Sequence, residues 1–223
     1  MKLSVPAIVL SLCAVFATTS PVPVPEDFIP QPPPAGFDPS MIHLEEISYA
    51  GSGCKAGTVA ITGNDPWTIV TLSFDSYIAS IGPGIPFVER YKNCNINFKL
   101  HHPAGYSYTI YKTDYTGHVI LESGVSATQE SKYWFAGSPQ PPPPYPSSHW
   151  AGPLDTGYHF TDTIQQGNAI WSPCGAPTTL NVNTQISLNN DANRTASGLI
   201  TTEVIDHKAT SQTIYSIQWR SCP

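Results

Sequence analysis

Charge and helical patterning are both scarce in this sequence. Lysine and arginine number 10, aspartate and glutamate number 16, and charged residues make up only 12% of the chain, with a formal net charge of −6. There is no basic stripe, so nucleic-acid binding is not predicted, because that function needs clustered lysine and arginine. An acidic surface rich in uncharged polar residues suits an extracellular protein and identifies no partner.

The familiar motifs of catalytic and metal sites are also missing. The chain has no G-x-S-x-G, no H-E-x-x-H and no C-x-x-C, and "GSGCKAG" around Cys54 lacks the G-K-[ST] ending of a phosphate-binding loop. No E-x-D-x-E motif groups carboxylates as glycoside hydrolysis would favour. These absences favour a non-enzymatic protein that holds no cofactor and no metal.

What is present begins with a predicted export signal over residues 1–17, "MKLSVPAIVLSLCAVFA". Lys2 gives a positive start, an apolar stretch follows, and the small residues Val15 and Ala17 suit a cleavage site. This pattern is typical of a secretory signal peptide and is too short for a membrane span. No later stretch is long and apolar enough to cross a bilayer. We therefore expect a secreted protein, extracellular or in the cell wall.

The cysteine count predicts disulfides. Cys13 lies in the signal peptide, and the cysteines that remain are Cys54, Cys94, Cys174 and Cys222. An even number in an exported chain indicates disulfide bonds. Three pairings are possible, and we favour the one that joins sequence neighbours, Cys54–Cys94 and Cys174–Cys222. Closing a loop of the first pair's length contributes roughly 4 kcal/mol.

Two proline-rich stretches punctuate the chain. Residues 18–40 predict an extended, disordered arm, because proline fixes φ and has no N–H to donate. Residues 138–146, "SPQPPPPYP", predict an exposed loop within a single domain that spans 41–223. Trp150 shortly after this loop is a candidate for gripping a ligand.

From residue 41 onward the pattern is that of successive strands. In "TLNVNTQISL", Leu180, Val182 and Ile186 share one face, while asparagine and glutamine occupy the other. "YSYTIYKTDYTGHVIL" predicts two strands joined by a turn near Asp114–Gly117. No segment has a convincing helical stripe. The fold class predicted is all-β, a single antiparallel β-sandwich or jelly-roll-like domain with two disulfides.

Two adjacent histidines end the alternating run "KNCNINFKLHHP". Successive side chains of a strand point to opposite faces, so His101 and His102 cannot chelate one ion. We expect His102 at the edge of the core and His101 in solvent. A metal site is not predicted here, and His102 remains a candidate acid–base residue only in the enzymatic alternative below.

The stretch "SFDSYIASIGPGIP" supplies further candidates. Asp75 is a candidate catalytic carboxylate, and Tyr77, expected on the same face, and Arg90, after the loop, are candidate binding residues. The simpler interpretation, which we favour, is an ion pair between Asp75 and Arg90 or Lys92 that pins the loop.

Aromatic residues and a sequon complete the list of candidates. Exposed aromatics beside asparagine and glutamine would suit sugar binding, although Trp171 and Trp219, each three residues before a cysteine, are expected to pack against the disulfides. Asn193 in "NRT" is the only N-x-[ST] sequon and predicts a glycosylation site in an exposed turn.

Several segments together resemble a known family. "YAGSGC", "SFDSYIASIGPG", "KNCNINFKLHHPAG", "WSPCG", "LNVNTQISL" and "QWRSC" are similar to the domain-of-unknown-function 4360 family, secreted proteins common in filamentous fungi. The resemblance runs from about Ile42 to Cys222, and the family cysteines fall on the four named above. It implies a compact β fold and export, and it implies no activity. The proline arm and the 138–146 loop depart from it.

The leading functional hypothesis is a non-enzymatic secreted protein that binds cell-wall glycan or a host surface, as an effector would. One alternative is a hydrolase or isomerase with Asp75 or His102 as its acid–base residue. A second is a protein-binding module, such as a protease inhibitor, that uses the proline-rich loop. In each case we expect a monomer without a nucleic-acid partner.

Overall fold

The computed structural model describes residues 31–64, 67–141, 145–164, 169–175, 177–202 and 212–223. Within these ranges the regular elements are strands and two short 3-10 helices, over Pro39–Met41 and Phe87–Arg90. The strands are β1 His43–Ala50, β2 Val59–Gly63, β3 Ile69–Phe74, β4 Ile78–Ile81, β5 Tyr91–His101, β6 Tyr106–Leu121, β7 Ser126–Phe135, β8 Ser147–Ala151, β9 Leu154–Thr163, β10 Thr179–Asn189, β11 Gly198–Thr201 and β12 Gln212–Ser221.

The strands form two antiparallel sheets, which confirms the predicted β-sandwich. The five-stranded sheet has the order β1-β5-β10-β7-β8. The seven-stranded sheet has the order β2-β3-β12-β6-β11-β4, and β9 pairs with β6 as well. Because β9 pairs with β6 over residues that also pair with β12 and β11, those two strands lie on one side of β6 and β9 lies on the other.

The core lies between the sheets and follows from alternation along each strand. On β10 the residues Leu180, Val182 and Ile186 are buried, and their neighbours are partly exposed. Tyr108 and Tyr215 of the seven-stranded sheet are fully buried against this layer. Burial of large apolar side chains supplies about 1.5–3 kcal/mol each, so the alternation itself drives the two sheets together.

The longest strand corrects the prediction of a hairpin turn near Asp114–Gly117. That segment is one uninterrupted strand, β6, because β12 and β11 pair with successive halves of it and β9 pairs along its other edge. Gly117 serves close packing, since a Cβ there would lie 2.1 Å from the carbonyl oxygen of Thr201 and 2.5 Å from the ring of Tyr158. A glycine inside a strand often marks such a close approach.

The disulfides join Cys54 to Cys94 and Cys174 to Cys222, the pairing favoured above, with Cα–Cα distances of 5.4 and 5.9 Å. The first disulfide is buried in the core and ties β5 of the five-stranded sheet to the chain that follows β1. The second is largely exposed and ties the end of β12, in the seven-stranded sheet, to the chain before β10. The first disulfide therefore has one cysteine within the five-stranded sheet, and the second has one directly after the last strand of the seven-stranded sheet.

The end of the proline-rich arm lies against the domain. The backbone of Gln31 and the side chain of Gln218 exchange two hydrogen bonds of 2.8 Å. Phe37 packs on Tyr106 and on Trp219, with ring centroids 5.2 and 5.3 Å apart. Residues 1–30, which include the predicted signal peptide and most of the arm, and residues 142–144 of the proline-rich loop lie outside the described residues.

Candidate functional site

The structure separates Asp75 from Tyr77. Asp75 is exposed directly after β3, whereas Tyr77 is fully buried and its hydroxyl donates to the carbonyl oxygen of Thr184 at 2.7 Å. Burial raises the pKa of the Tyr77 phenol well above its usual value. The prediction that the two share a face was wrong, because β3 ends at Phe74 and the chain bends before Tyr77. Tyr77 is a core residue that presents nothing to a ligand.

The favoured ion pair between Asp75 and Arg90 or Lys92 was also wrong. Lys92 pairs with Glu89 at 2.7 Å, and the guanidinium of Arg90 lies over the ring of Phe87 at 3.4 Å. The short 3-10 helix Phe87–Arg90 brings these partners together locally. Among the described residues Asp75 makes no ion pair.

The two histidines face apart. His102 is 3% exposed and sits edge-on to Tyr108 and Trp219, with ring centroids 5.8 and 5.7 Å away. Burial lowers the pKa of His102 below its usual value. His101 lies on the outer side, where Nδ1 is 3.0 Å from the carboxylate of Glu45 and the ring stacks on His43. The ring of His102 therefore packs against the core, as the alternation predicts.

Trp150 belongs to the sandwich edge. It lies on β8, half-buried, with its ring 4.8 Å from that of Tyr158 and 5.8 Å from that of Phe160. These contacts join β8 to β9. A role for Trp150 in ligand binding stays a prediction, since its ring is partly exposed.

Asn193 lies in an exposed turn after β10. The hydroxyl of Thr195, the third residue of the sequon, donates to Oδ1 of Asn193 at 2.9 Å, and the Asn193 amide donates to the carbonyl oxygen of Ser123 at 3.3 Å. Glycosylation there stays a prediction. Over the described part of the chain, no group of three or more metal-ligating side chains is assembled.

The most distinctive polar surface is the outer face of the five-stranded sheet, which we call the amide face. Alternation puts the buried residues of β5, β10 and β7 inward and a polar set outward that is neutral on β10 and includes Glu130 and Lys132, 3.4 Å apart, on β7. Its central members are Asn93, Asn95 and Asn97 on β5, Asn181, Asn183 and Gln185 on β10, and Thr128, Glu130 and Lys132 on β7.

Strand register arranges these side chains in rows across the sheet. One row runs from Asn95 to Asn183 to Lys132, and the next from Asn93 to Gln185 to Glu130. Adjacent strands are about 4.8 Å apart, and residues two apart on a strand are separated by roughly 6.8 Å. The rows therefore present planar amides on a regular grid.

Hydrogen bonds hold the amides in place. The Asn183 amide donates to Oδ1 of Asn95 at 2.5 Å, and Gln185 donates to Glu130 at 2.8 Å while accepting from the hydroxyl of Tyr91 at 2.8 Å. Each side-chain amide has two N–H groups and a carbonyl oxygen with two lone pairs. These bonds use one N–H of Asn183 and one of Gln185, so each keeps a second N–H directed from a fixed position.

Aromatic rings border the amide face. Along the strand direction, Tyr91, which is 45% exposed, lies at one end of the central rows, and Trp134, which is partly exposed, lies at the other. The ammonium of Lys132 lies over the ring of Tyr145, in the proline-rich loop, 4.2 Å from the ring centroid. Their spacing along β5 and β7 puts an aromatic ring at each end of the amide grid.

At the Tyr91 end, the amide face borders an open depression of about 290 Å³. Its floor and walls come from three strands of the sheet and the end of the 3-10 helix. The lining residues are Arg90, Tyr91, Ser126, Thr128, Ser187, Leu188 and Asn189.

Sequence reasoning found only part of this surface. The alternating asparagine and glutamine of β10 were evident in "TLNVNTQISL", and "KNCNINFKLHH" carries the same signal for β5. What the pattern did not reveal is that β5 and β7 flank β10 on its two sides, so that three polar strand faces merge.

These features define a secreted-type, disulfide-bonded β-sandwich with an exposed amide-rich sheet face. Residues 40–222 match the family described as a domain of unknown function, DUF4360. An uncharacterized secreted protein from Arthroderma benhamiae is 39% identical over 185 residues, which span 83% of this chain and 74% of that protein. The chain belongs to the DUF4360 family, and the protein is secreted. In the described ranges, no helix has the length and apolarity that a membrane crossing needs.

Two solved structures show weak likeness. TmCBM61 in complex with beta-1,4-galactotriose aligns with 80% of this chain and 90% of its own, at a TM-score of 0.26 and 10% identity. The enzymatically active domain of tailspike protein 4 of bacteriophage CBA120 aligns with 80% of this chain and 20% of its own, at a TM-score of 0.22 and 12% identity. At such scores neither supports an argument about this protein.

Proposed function

We propose that this secreted protein binds polysaccharide through its amide face. The observation that carries the proposal is the grid of fixed, outward-facing amides on β5 and β10. Sugar hydroxyl groups both donate and accept hydrogen bonds, and side-chain amides offer both functions from a planar group. A strongly hydrogen-bonding surface therefore matches a hydroxyl-rich ligand.

The bordering aromatics support the same ligand class. The face of an aromatic ring packs well against the C–H groups of a sugar ring, and Tyr91 and Trp134 are the partly exposed rings at the two ends of the grid. Along β10 the outward polar side chains from Asn181 to Asn189 extend roughly 27 Å at about 3.4 Å per residue. An extended surface of this kind suits a chain of several sugar units better than a single one.

Order before binding also supports the proposal. Since Asn183, Gln185 and Tyr91 are already fixed by hydrogen bonds, a ligand would not have to immobilise them. The amides of Asn95 and Asn183 carry no charge, and the nearby Lys132 is paired with Glu130 at 3.4 Å, so the part of the affinity that the amides contribute should depend weakly on salt. That property separates this proposal from binding driven by charge.

Pull-down on insoluble chitin, β-glucan and mannan tests the proposal. We expect retention on at least one of them and its loss in Asn183→Leu, which replaces an amide at the centre of the grid. The matched control is His159→Leu, a polar-to-leucine change on the outer face of the seven-stranded sheet, where the histidine contacts Thr116. No retention on any polysaccharide, or equal retention of both variants, would contradict the proposal.

Cleavage of the signal peptide and glycosylation of Asn193 are two separate predictions about the secreted protein. We expect the secreted protein to begin after residue 17 and to carry a glycan at Asn193. Mass spectrometry of secreted wild-type protein and of Asn193→Gln checks both. An unmodified Asn193 peptide in the wild-type protein would remove the glycan prediction alone.

A further inference from the structure

We propose that the loop preceding β5 adds an anion-binding subsite to the polysaccharide surface, and that this subsite selects sugars bearing a carboxylate, the uronic acids. This inference rests on the proposed function and specifies its ligand. It concerns a second open depression, of about 370 Å³, which we call the arginine depression. Its lining residues are Ile81, Gly82, Ile85, Pro86, Phe87, Arg90, Asn190, Asp191 and Arg194.

The arginine depression continues the amide face. Arg90 lines both it and the smaller depression beside Tyr91, and the chain passes from Asn189 in one to Asn190 in the other. A polysaccharide lying along the amide grid would therefore reach the arginine depression without leaving the surface. This continuity favours a glycan over a bilayer as the occupant.

The two arginines of the depression have no carboxylate partner among the described residues. Glu89, next to Arg90, is taken by Lys92 at 2.7 Å, and the carboxylate of Asp191 accepts from the Asn189 amide at 2.8 Å. Arg194 forms no ion pair with a described acid either. The lining therefore holds two guanidinium groups and one carboxylate, a local excess of positive charge on a protein of net charge −6.

The position of Arg90 leaves its hydrogen-bonding edge available. The guanidinium stacks on the ring of Phe87 at 3.4 Å, and stacking engages the face of the planar group. The N–H donors lie in the plane, in the fork that binds a carboxylate through two parallel bonds. The Phe87 ring therefore orients Arg90 without competing for the carboxylate.

Phe87 also offers a surface for the sugar ring. It is 73% exposed, with Val88 at 70% and Ile85 at 38% beside it. Backbone hydrogen bonds from Ile85 to Gly82 at 3.1 Å and from Glu89 to Pro86 at 2.9 Å set the loop conformation. A uronic acid combines an apolar ring face with a carboxylate, and the depression combines an exposed apolar surface with two arginines.

Calorimetric titration of the secreted protein with an oligogalacturonate and with its fully methyl-esterified form tests the inference. The ester keeps the sugar rings and removes the charge. We expect the acid to bind about tenfold more tightly at low salt, the strength expected of a charge-assisted hydrogen bond. In Arg90→Gln/Arg194→Gln that preference should vanish while the ester binds as before.

The matched control is Arg220→Gln, since Arg220 also stacks on an aromatic ring, Trp171, at 4.0 Å, but outside the depression. It should keep the preference for the acid, and unchanged melting temperatures should show that the variants are folded. Equal binding of acid and ester, or an undiminished preference in Arg90→Gln/Arg194→Gln, would overturn the subsite alone. Binding of neither form, with no retention on neutral polysaccharides, would overturn the proposed function as well.

Binding to phosphatidylserine vesicles tests whether a membrane surface, rather than a glycan, occupies the arginine depression. We expect no binding to them. Vesicle binding that Phe87→Ser abolishes, in a protein that binds neither oligosaccharide, would assign the exposed loop to a membrane surface and overturn the inference.

Discussion

The two sheets of this protein differ in the side chains that their outer faces carry. The five-stranded sheet carries asparagine and glutamine in register, joined across strands by amide hydrogen bonds such as Asn183 to Asn95. The seven-stranded sheet carries pairs of oppositely charged or titratable side chains, including Lys112 with Asp114 at 2.8 Å and His118 with Asp155 at 2.8 Å. Both sheets carry ion pairs, since on the five-stranded sheet Lys99 lies 2.7 Å from Glu45 and Lys132 lies 3.4 Å from Glu130, but the five-stranded sheet adds a central group of neutral amides.

The disulfides follow the same division. Cys54–Cys94 is buried behind the amide face, whereas Cys174–Cys222 lies near the surface at the end of the seven-stranded sheet. The sheet with the candidate binding surface thus has the more protected covalent support. The comparison suggests that the five-stranded sheet is built as a rigid platform.

Removing the disulfides should show the largest difference between the sheets. Loop closure makes each worth roughly 4 kcal/mol, and loss of buried sulfur contacts should add about 1 kcal/mol or more for the first. We expect Cys54→Ala/Cys94→Ala to lower the free energy of unfolding more than Cys174→Ala/Cys222→Ala, as measured by urea denaturation. An equal or reversed order would contradict the idea of a more strongly supported platform.

Aromatic truncation should separate the faces in binding. Tyr91→Ala and Trp134→Ala should each weaken polysaccharide binding by about tenfold, or about 1.4 kcal/mol, because each removes a stacking surface at the border of the amide grid. Affinity gel electrophoresis with a soluble polysaccharide measures the effect. Phe160→Ala, whose ring stacks on Tyr115 in the other sheet, is the control and should leave affinity unchanged in the folded protein.

The seven-stranded sheet should account for a pH-dependent part of stability. Burial raises the pKa of Asp162 on β9 to about 6, above the value of about 3.9 in an unfolded chain. Between these pH values the folded state holds a proton that the unfolded state releases. This contribution to the free energy of unfolding is therefore highest below about pH 4 and falls as the pH rises through 6. Because Asp162 is partly solvated, we expect a loss of about 1 kcal/mol.

Asp162→Asn should remove that pH dependence and stabilise the protein at pH 7.5 by a similar amount. Urea unfolding at pH 4 and pH 7.5 measures it, with Asp75→Asn, an exposed carboxylate, as the matched control. If both variants changed the pH profile alike, burial of Asp162 would not be its cause.

The smallest effect is expected from a surface pair of the seven-stranded sheet. His118 and Asp155 lie 2.8 Å apart, but the Asp155 side chain is 71% exposed. Exposed pairs contribute at most about 1 kcal/mol. Asp155→Asn should therefore change the melting temperature little and polysaccharide binding not at all. A marked loss of binding would mean that the seven-stranded sheet, too, contributes to the ligand surface.

Local pattern was enough for the strand faces. Because successive side chains of a strand point to opposite sides, the alternation in "TLNVNTQISL" alone separates Leu180 and Val182 from Asn181 and Asn183. The same rule put His101 and His102 on opposite faces, and the structure has them so. It failed at Asp75 and Tyr77, because a strand ended between them and the period of two ended with it.

By itself the sequence determined the export, the all-β class and the two-faced character of each strand, since these depend on composition and on neighbouring residues. Only the tertiary structure decided that β6 passes Asp114–Gly117 without turning, that β5 and β7 flank β10, and that Arg90 and Arg194 share one depression. Those outcomes depend on which distant strands pair to bury their apolar faces, and alternation along one strand carries no information about its partner.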